Sequence, residues 1–320
     1  VTLNRESARQ LPWLAVQAYT QRDALAQCDS FREGLHLAGL DWEPEKVPLT
    51  HHVMTERGVE AKQLDEWMLT RRDDNHAPLG VVGSGYKVYP NRTFAEFMDT
   101  LVDTDEAAFA GMGSVHGGRR VYAVMKFGEN QYRSLGADEE IAPYLIGTTG
   151  HDGGAALGIT VAMIRYACTN GMIGVVPGSA FSMKVRHTYN MERLIRIRAK
   201  LFTGAAEYVD VFYNTVEDLL AIKVTEDDAL HLIHQLAPLP KNATARQVTT
   251  VNRKVQGMYR MYLSSPNIEN IRDTGWGFVN AIAEWDQHAA HGRRTKDAMT
   301  RLIDGDDAKV VARARALVMA

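Results

Sequence analysis

A chain of 320 residues, 45% apolar and 23% charged, has the composition of a globular protein that buries a substantial core in one large domain or two modest ones. Its net charge of −3 excludes a uniformly basic nucleic-acid coat, so a nucleic-acid site must be a local patch. Two cysteines, Cys28 and Cys168, exclude a disulfide framework or a zinc spacing, and no apolar run reaches the ~18 residues that span a bilayer.

In chain order, residues 22–38 read as a helix stopped by Gly39. Trp42 to Val53 reads as strand and turn. Trp67 to Thr70 reads as a short strand, joined by a polar loop to a hairpin partner in Leu79–Val88. Asn91 or Thr93 caps a helix over 94–101 with Phe94, Phe97 and Leu101 on one face. Ala108–Val115 and Arg119–Phe127 form a hairpin around His116-Gly117-Gly118. Alternation in the second of these strands predicts an apolar face (Val121, Ala123, Met125, Phe127) and a mixed one (Arg120, Tyr122, Val124, Lys126). Strands at 141–149, 155–167 and 180–187 extend the sheet. From Asn190 the texture turns helical, with helices predicted at 190–203, 205–222, 226–235, 245–263, 276–291 and 306–318. The fold class is α+β: a mixed, mostly antiparallel sheet with helices over 1–188, then a helix-rich C-terminal half over 189–320 packed on it.

Charge is segregated along the chain. Between Asp228 and Glu269 no acidic residue occurs, whereas Lys241, Arg246, Arg253, Lys254 and Arg260 all fall in that gap. The helix within it has an apolar seam at Val248, Val251, Val255, Met258 and Tyr262, and Arg246, Arg253 and Arg260 recur every seventh residue opposite the seam. At ~1.5 Å rise per residue these guanidiniums stand about 10 Å apart, a spacing that follows a phosphate backbone. A solvated face or a charged subunit contact is the plainer reading. A second basic cluster comprises Lys184, Arg186, Arg193, Arg196, Arg198 and Lys200, beside His187 and Tyr189. Cations beside aromatics suit a single strand's phosphates and bases. Arg119 and Arg120 form a third cluster at a hairpin mouth. Acidic residues concentrate at Glu207, Asp210, Glu217, Asp218, Glu226, Asp227 and Asp228, and ion pairs between them and the arginine stripe compete with the nucleic-acid reading.

Two constellations are candidates for chemistry. The turn Thr148-Thr149-Gly150-His151-Asp152-Gly153-Gly154 sets a His-Asp pair among glycines, where backbone amides cap a carboxylate or form an anion nest. Asp152 there is either a turn cap or a metal ligand. Asn280, Glu284, Gln287, His288 and His291 share one helical stripe with a single carboxylate, read either as the outer face of an amphipathic helix or as metal ligands. Walker A, His-Glu-x-x-His, Cys-x-x-Cys and dinucleotide-fingerprint patterns do not occur.

Seven short motifs stand in order: Gly39-Leu40-Asp41-Trp42; Val81 to Tyr86, followed by Asn91; Gly117 to Val121; Gly150 to Gly153; Arg165, Cys168 and Asn170; Arg186-His187-Thr188; and Trp276-Gly277 with Asn280, Ala281 and Glu284. Together they resemble domain-of-unknown-function family 932. The resemblance implies a phage- or plasmid-related, mobile-element protein without supplying a reaction.

The expectation is a cytoplasmic, homo-oligomeric single-stranded DNA-binding protein, of the strand-annealing recombination kind, with no cofactor and no membrane. Its binding residues are Arg119, Arg120, His151, Asp152, Arg165, Lys184, Arg186, His187, Arg193, Arg196, Lys200, Arg246, Arg253 and Arg260. His151, Asp152, Arg165 and Arg186 are expected to converge in one groove, because each lies at a strand end or turn. The alternatives are a metal-dependent nuclease or other hydrolase and a non-catalytic host-interaction protein.

Overall fold

The computed structural model describes residues 24–25, 27–102, 107–128, 133–135, 139–155, 157–165, 171–172, 182–185, 191–286, 299–300, 303 and 308–320. Helix α1 (Phe31–Leu37) leads into three strands, β1 (Pro44–Thr55), β2 (Gly58–Arg72) and β3 (Pro78–Gly83). Helix α2 (Asn91–Val102) follows. Then come β4 (Ala107–Val115), β5 (Arg120–Phe127), β6 (Arg133–Leu135), β7 (Glu139–Gly150), β8 (Leu157–Arg165), β9 (Gly171–Met172) and β10 (Ser182–Val185). The rest of the described chain is helical: α3 (Met191–Ala221), α4 (Glu226–Leu236), α5 (Ala245–Ser264), α6 (Gly275–Glu284) and α7 (Ala308–Val318). The class is α+β with a helix-rich C-terminal half.

The strands form two sheets. The smaller has the order β1-β2-β3, and the larger runs β10-β8-β7-β5-β4 with β6 on β7 and β9 on β8. Every ladder among the described residues is antiparallel. The strand expected from residue 79 thus pairs with β2, as its hairpin position suggests, and stands outside the large sheet. The mixed face expected for β5 is buried at its centre: Tyr122 and Val124 are as buried as Ala123 and Met125, while Arg120 and Lys126 at its ends are half-buried. A central strand covered on both sides needs apolar residues at successive positions, and alternation there loses its meaning.

Carboxylates at the helix N-termini tie α2 to the start of β1 and α1 to α2. Glu43 accepts from the amides of Asn91 (2.7 Å) and Arg92 (3.1 Å), and Asp99 accepts from those of Phe31 (2.6 Å) and Arg32 (3.1 Å). Each satisfies donors that the first helical turn leaves free and places negative charge on the positive end of the helix dipole. On the large sheet, Gly147 leaves room for the Met98 sulfur and the Phe94 ring.

Helix α3 runs unbroken for 31 residues through Gly204, where a break is predicted. Leu201, Ala205, Tyr208, Val209, Phe212, Tyr213, Val216 and Leu219 are buried along it, and this packing outweighs the ~1 kcal/mol that an interior glycine costs. The Tyr213 hydroxyl donates to the Ile141 carbonyl of β7 (2.7 Å), and Phe202 stacks on Phe127 of β5 at 5.6 Å. One hydrophobic cluster therefore contains residues of both halves.

At the start of α6, Thr274 accepts from the Gly277 amide (3.0 Å). A Cβ on Gly277 would run into the Ile271 carbonyl, a backbone group that cannot swing aside. Gly277→Ala is expected to cost at least ~1–3 kcal/mol in urea unfolding, as overpacking does. A wild-type midpoint would show that the 271–277 turn is looser than described.

Candidate nucleic-acid interface and the buried polar clusters

The glycine-rich turn after β7 lies against the small sheet. Asn91, the first residue of α2, donates through Nδ2 to the carbonyls of Trp42 (2.7 Å) and Leu40 (3.4 Å). That fixes the amide, so its Oδ1 faces His151 Nε2 at 2.9 Å and the imidazole carries its proton on Nε2. His151 is fully buried and meets Trp42 edge-on at 5.5 Å. The Arg72 guanidinium lies 4.6 Å from the centre of the Trp42 ring, a cation–π contact. Gly118 closes on the same indole, with φ of +92° and space for a Cβ only 3.0 Å from the ring. The indole N–H meets no acceptor among the described residues, so Trp42 acts through its faces and edge.

Asp152 is a turn cap. Its Oδ1 accepts from the Gly154 amide (2.8 Å) and from Arg120 Nη1. Burial opposes its ionisation, but the Arg120 and Gly154 hydrogen bonds outweigh burial and hold the carboxyl below the usual carboxylate range. Gly80 of β3 abuts its Cα and Cβ, and the Tyr86 hydroxyl donates to the Gly150 carbonyl (2.8 Å). Burial pushes the Tyr86 phenol up. Four of the motif segments, those around Trp42, Tyr86–Asn91, Gly118–Arg120 and His151–Asp152, thus meet at one point.

Arg165 does not join them. It pairs with Ile141, nine residues from the Gly150 that pairs with Arg120, which puts it about 30 Å along the sheet from His151. A hairpin turn and the far end of its own strand lie at opposite ends of the strands of an antiparallel sheet, so the expected convergence fails. Arg165 is 1% exposed and donates to the Asn267 carbonyl (2.7 Å), which removes it as a surface contact to nucleic acid. His151, fully buried, is removed on the same ground, and Asp152 and Arg120 are committed to each other. Arg186 and His187 lie outside the described residues.

Arg165 belongs to a second buried cluster. Asn267 donates from Nδ2 to Glu284 Oε1 (3.0 Å), Ser265 donates from Oγ to Glu284 Oε2 (2.6 Å), and Arg272 donates to the Ser265 carbonyl (2.9 Å). The Ser-Pro-Asn turn after α5 therefore links the end of β8 to α6. This corrects the reading of Asn280 and Glu284 as an outer face: all ten residues of α6 are buried, and both Glu284 carboxylate oxygens are occupied. His288 and His291 lie outside the described residues. Among the described residues no group of three His, Cys, Asp or Glu side chains is arranged to hold a metal ion.

The basic stripe behaves differently. Arg246, Arg253 and Arg260 are all exposed on α5, as are Lys241 and Lys254, while Val255, Met258 and Tyr262 are buried. Val248 and Val251 are half-buried, so the first turns of α5 stand proud of the core. A reciprocal capping box of Thr244 and Gln247 starts the helix, and the Tyr262 hydroxyl donates to the Val224 carbonyl (2.6 Å), fixing its rotation. None of the three arginines makes an ion pair with a described carboxylate. The acidic residues from Glu207 to Asp228 are exposed. Arg119 and Lys200 are exposed as well. Lys184 stands on edge strand β10 opposite Gly158, and Arg193 and Arg196 lie in the first turns of α3; their side chains are outside the described set.

The family model described as Domain of unknown function (DUF932) matches residues 78–317. The chain belongs to this family. The match begins at the first residue of β3 and takes in both buried clusters apart from Leu40, Trp42 and Arg72, whereas β1 and β2 precede it. No curated protein and no solved structure matches the chain. Among the described residues no helix is long and apolar enough to cross a membrane.

Sequence reasoning placed the arginines of α5 correctly and missed the partners Asn91, Arg72, Ser265, Asn267 and Arg272. Asn91, expected as a possible cap, is instead the first residue of its helix and spends its carboxamide on Leu40, Trp42 and His151.

The depressed Asp152 carboxyl makes a pH prediction. A group whose folded pKa lies below its unfolded one contributes stability above the unfolded value and loses it as pH falls through the folded value. Asp152→Asn is expected to lower the urea midpoint at neutral pH, and the gap to wild type is expected to close in acid. A gap that persists unchanged into acid would show that the Asp152–Arg120 pair contributes nothing through its charge.

Proposed function

We propose that this family member is a mobile-element protein that binds single-stranded nucleic acid along α5, as a cytoplasmic homo-oligomer without a cofactor, in strand-annealing recombination. The observation that carries the reading is a helix of 20 residues with exposed arginines every seventh residue and no carboxylate in its sequence. An arginine fork facing water, unpaired by any described acid, is free to bind a phosphate bidentately. Spacing of about 10 Å between successive arginines matches a flexible strand, which bends to meet each one, better than a rigid duplex. The competing arrangement, in which these arginines are buried against the acidic helices, is not the one adopted. Among the described side chains of the candidate set, Arg119 and Lys200 are exposed cations as well.

Fluorescence anisotropy with labelled single- and double-stranded oligonucleotides at several salt concentrations tests the reading. Wild type is expected to prefer the single strand, without divalent metal, and to weaken as salt rises. Arg246→Glu/Arg253→Glu/Arg260→Glu is expected to lose retention with its circular dichroism intact. Single Arg→Ala changes are expected to flatten the log–log salt slope by ~0.7 for each phosphate that the variant no longer neutralises. Normal retention by the triple variant would overturn the assignment to α5, and magnesium-dependent cutting of the oligonucleotide would favour a nuclease instead.

A further inference from the structure

Four of the seven large hydrophobic residues exposed among the described residues lie on the small sheet: Met54 (79%), Val59 (62%), Trp67 (50%) and Val81 (49%). The β1–β2 register shifts at Pro48/Leu49: Pro48 pairs with Met68 but Leu49 with Leu64, so β2 bulges by the three residues Asp65, Glu66 and Trp67. Strand β3 pairs only with Trp67 to Arg71, so beyond the bulge β1 and β2 continue as a two-stranded ribbon. The ribbon, Leu49–Thr55 against Gly58–Leu64, contains no buried residue. At ~3.3 Å per residue it carries the cross-strand pair Met54–Val59 about 20 Å past Pro48, next to its last pair Thr55–Gly58. Two strands with water on both faces are marginally stable, and an exposed apolar tip marks a contact surface.

The base of the same sheet carries a second apolar surface. One face, with Thr70, Gly80 and Val82, packs on the His151–Asp152 turn; Gly80 abuts Asp152 and Val82 approaches Gly153. On the other face Val47, Leu69 and Val81 are cross-strand neighbours, with Trp67 two residues along.

We propose that the ribbon is a self-association arm: the Met54–Val59 tip of one copy packs on the Trp67, Leu69 and Val81 face of a second copy, which returns the contact. A tip held about 20 Å from its own base cannot cover that base, and both complementary surfaces are on one chain. A two-fold arrangement makes each contact twice, toward the ~1,200–2,000 Å² that a stable interface buries in total, which a single tip does not supply. Charge fits a copy of the same chain. Between Thr50 and Leu64, Glu56 and Glu60 balance Arg57 and Lys62, so two arms do not repel, and the arm has no net positive charge to draw in phosphate. This surface is separate from α5, and the inference does not rest on the oligonucleotide reading.

Sedimentation velocity on the full chain at micromolar concentration tests it. Wild type is expected to sediment as a dimer. Met54→Lys/Val59→Lys and Trp67→Lys/Val81→Lys are each expected to sediment as monomers, weakening association by at least about tenfold, with wild-type circular dichroism. Mixing the two variants restores one of the two contacts, so the mixture is expected to associate more than either alone, an outcome that misfolded variants would not give. The Arg246, Arg253 and Arg260 triple variant is expected to remain dimeric, so loss of oligonucleotide binding and loss of the dimer are scored separately. A monomeric wild type, a tip variant that dimerises like wild type, or a mixture no better than its parts would overturn the proposal.

Discussion

The carboxamide of Asn91 is the constraint on which the first half of the molecule depends. Its two donors take the carbonyls of the Leu40–Trp42 segment and its oxygen takes the His151 imidazole, so one side chain joins the entry to the small sheet, the start of α2 and the turn of the large sheet. Buried polar groups are costly when left unpaired, so the three pieces are held in a single relative arrangement. Glu43 reinforces it by capping the same helix, and the Asp152–Arg120 pair holds the turn that Gly80 touches. These residues recognise one another, which is why the His-Asp pair is better understood as a joint than as a reaction centre.

A second joint does the same for the helical half. Asn267 passes a hydrogen bond from Arg165 on β8 to Glu284 on α6, and Ser265 completes the carboxylate. With a joint at each end, the hydrophobic layer between sheet and helices has fixed boundaries. Polar residues that the motifs share are then used up in packing. Among the described residues, the exposed α5 guanidiniums and the exposed apolar residues of the small sheet stand outside both joints.

How much of this is legible in sequence follows from where water is. The strands of the large sheet and the rotation of α5 are readable, because apolar residues recur at spacings that only a strand or a helix aligns. The outer half of β2 is not readable, since Gly58–Leu64 faces water on both sides and shows no alternation. Gly204 reads as a break because local propensity ignores the buried stripe of α3. Asn280 and Glu284 read as solvated because polarity alone cannot distinguish an outer face from a buried one whose partners sit on a distant turn. The misplaced Arg165 has a topological cause: nearness in sequence to a strand end says nothing of which end of the sheet's strands that is.

Hydrogen exchange of the full chain, read by peptide for wild type and Asn91→Ala, tests the central claim most directly. Removing the carboxamide deprives His151 Nε2–H and two carbonyls of their partners, at ~1–3 kcal/mol for each group left unsatisfied. If Asn91 is the joint, protection falls in peptides covering Leu40–Gly83 and the first turn of α2, while β5, β7 and β8 keep the protection of wild type. Unchanged exchange in the small sheet, or an equal loss across both sheets, would contradict the account.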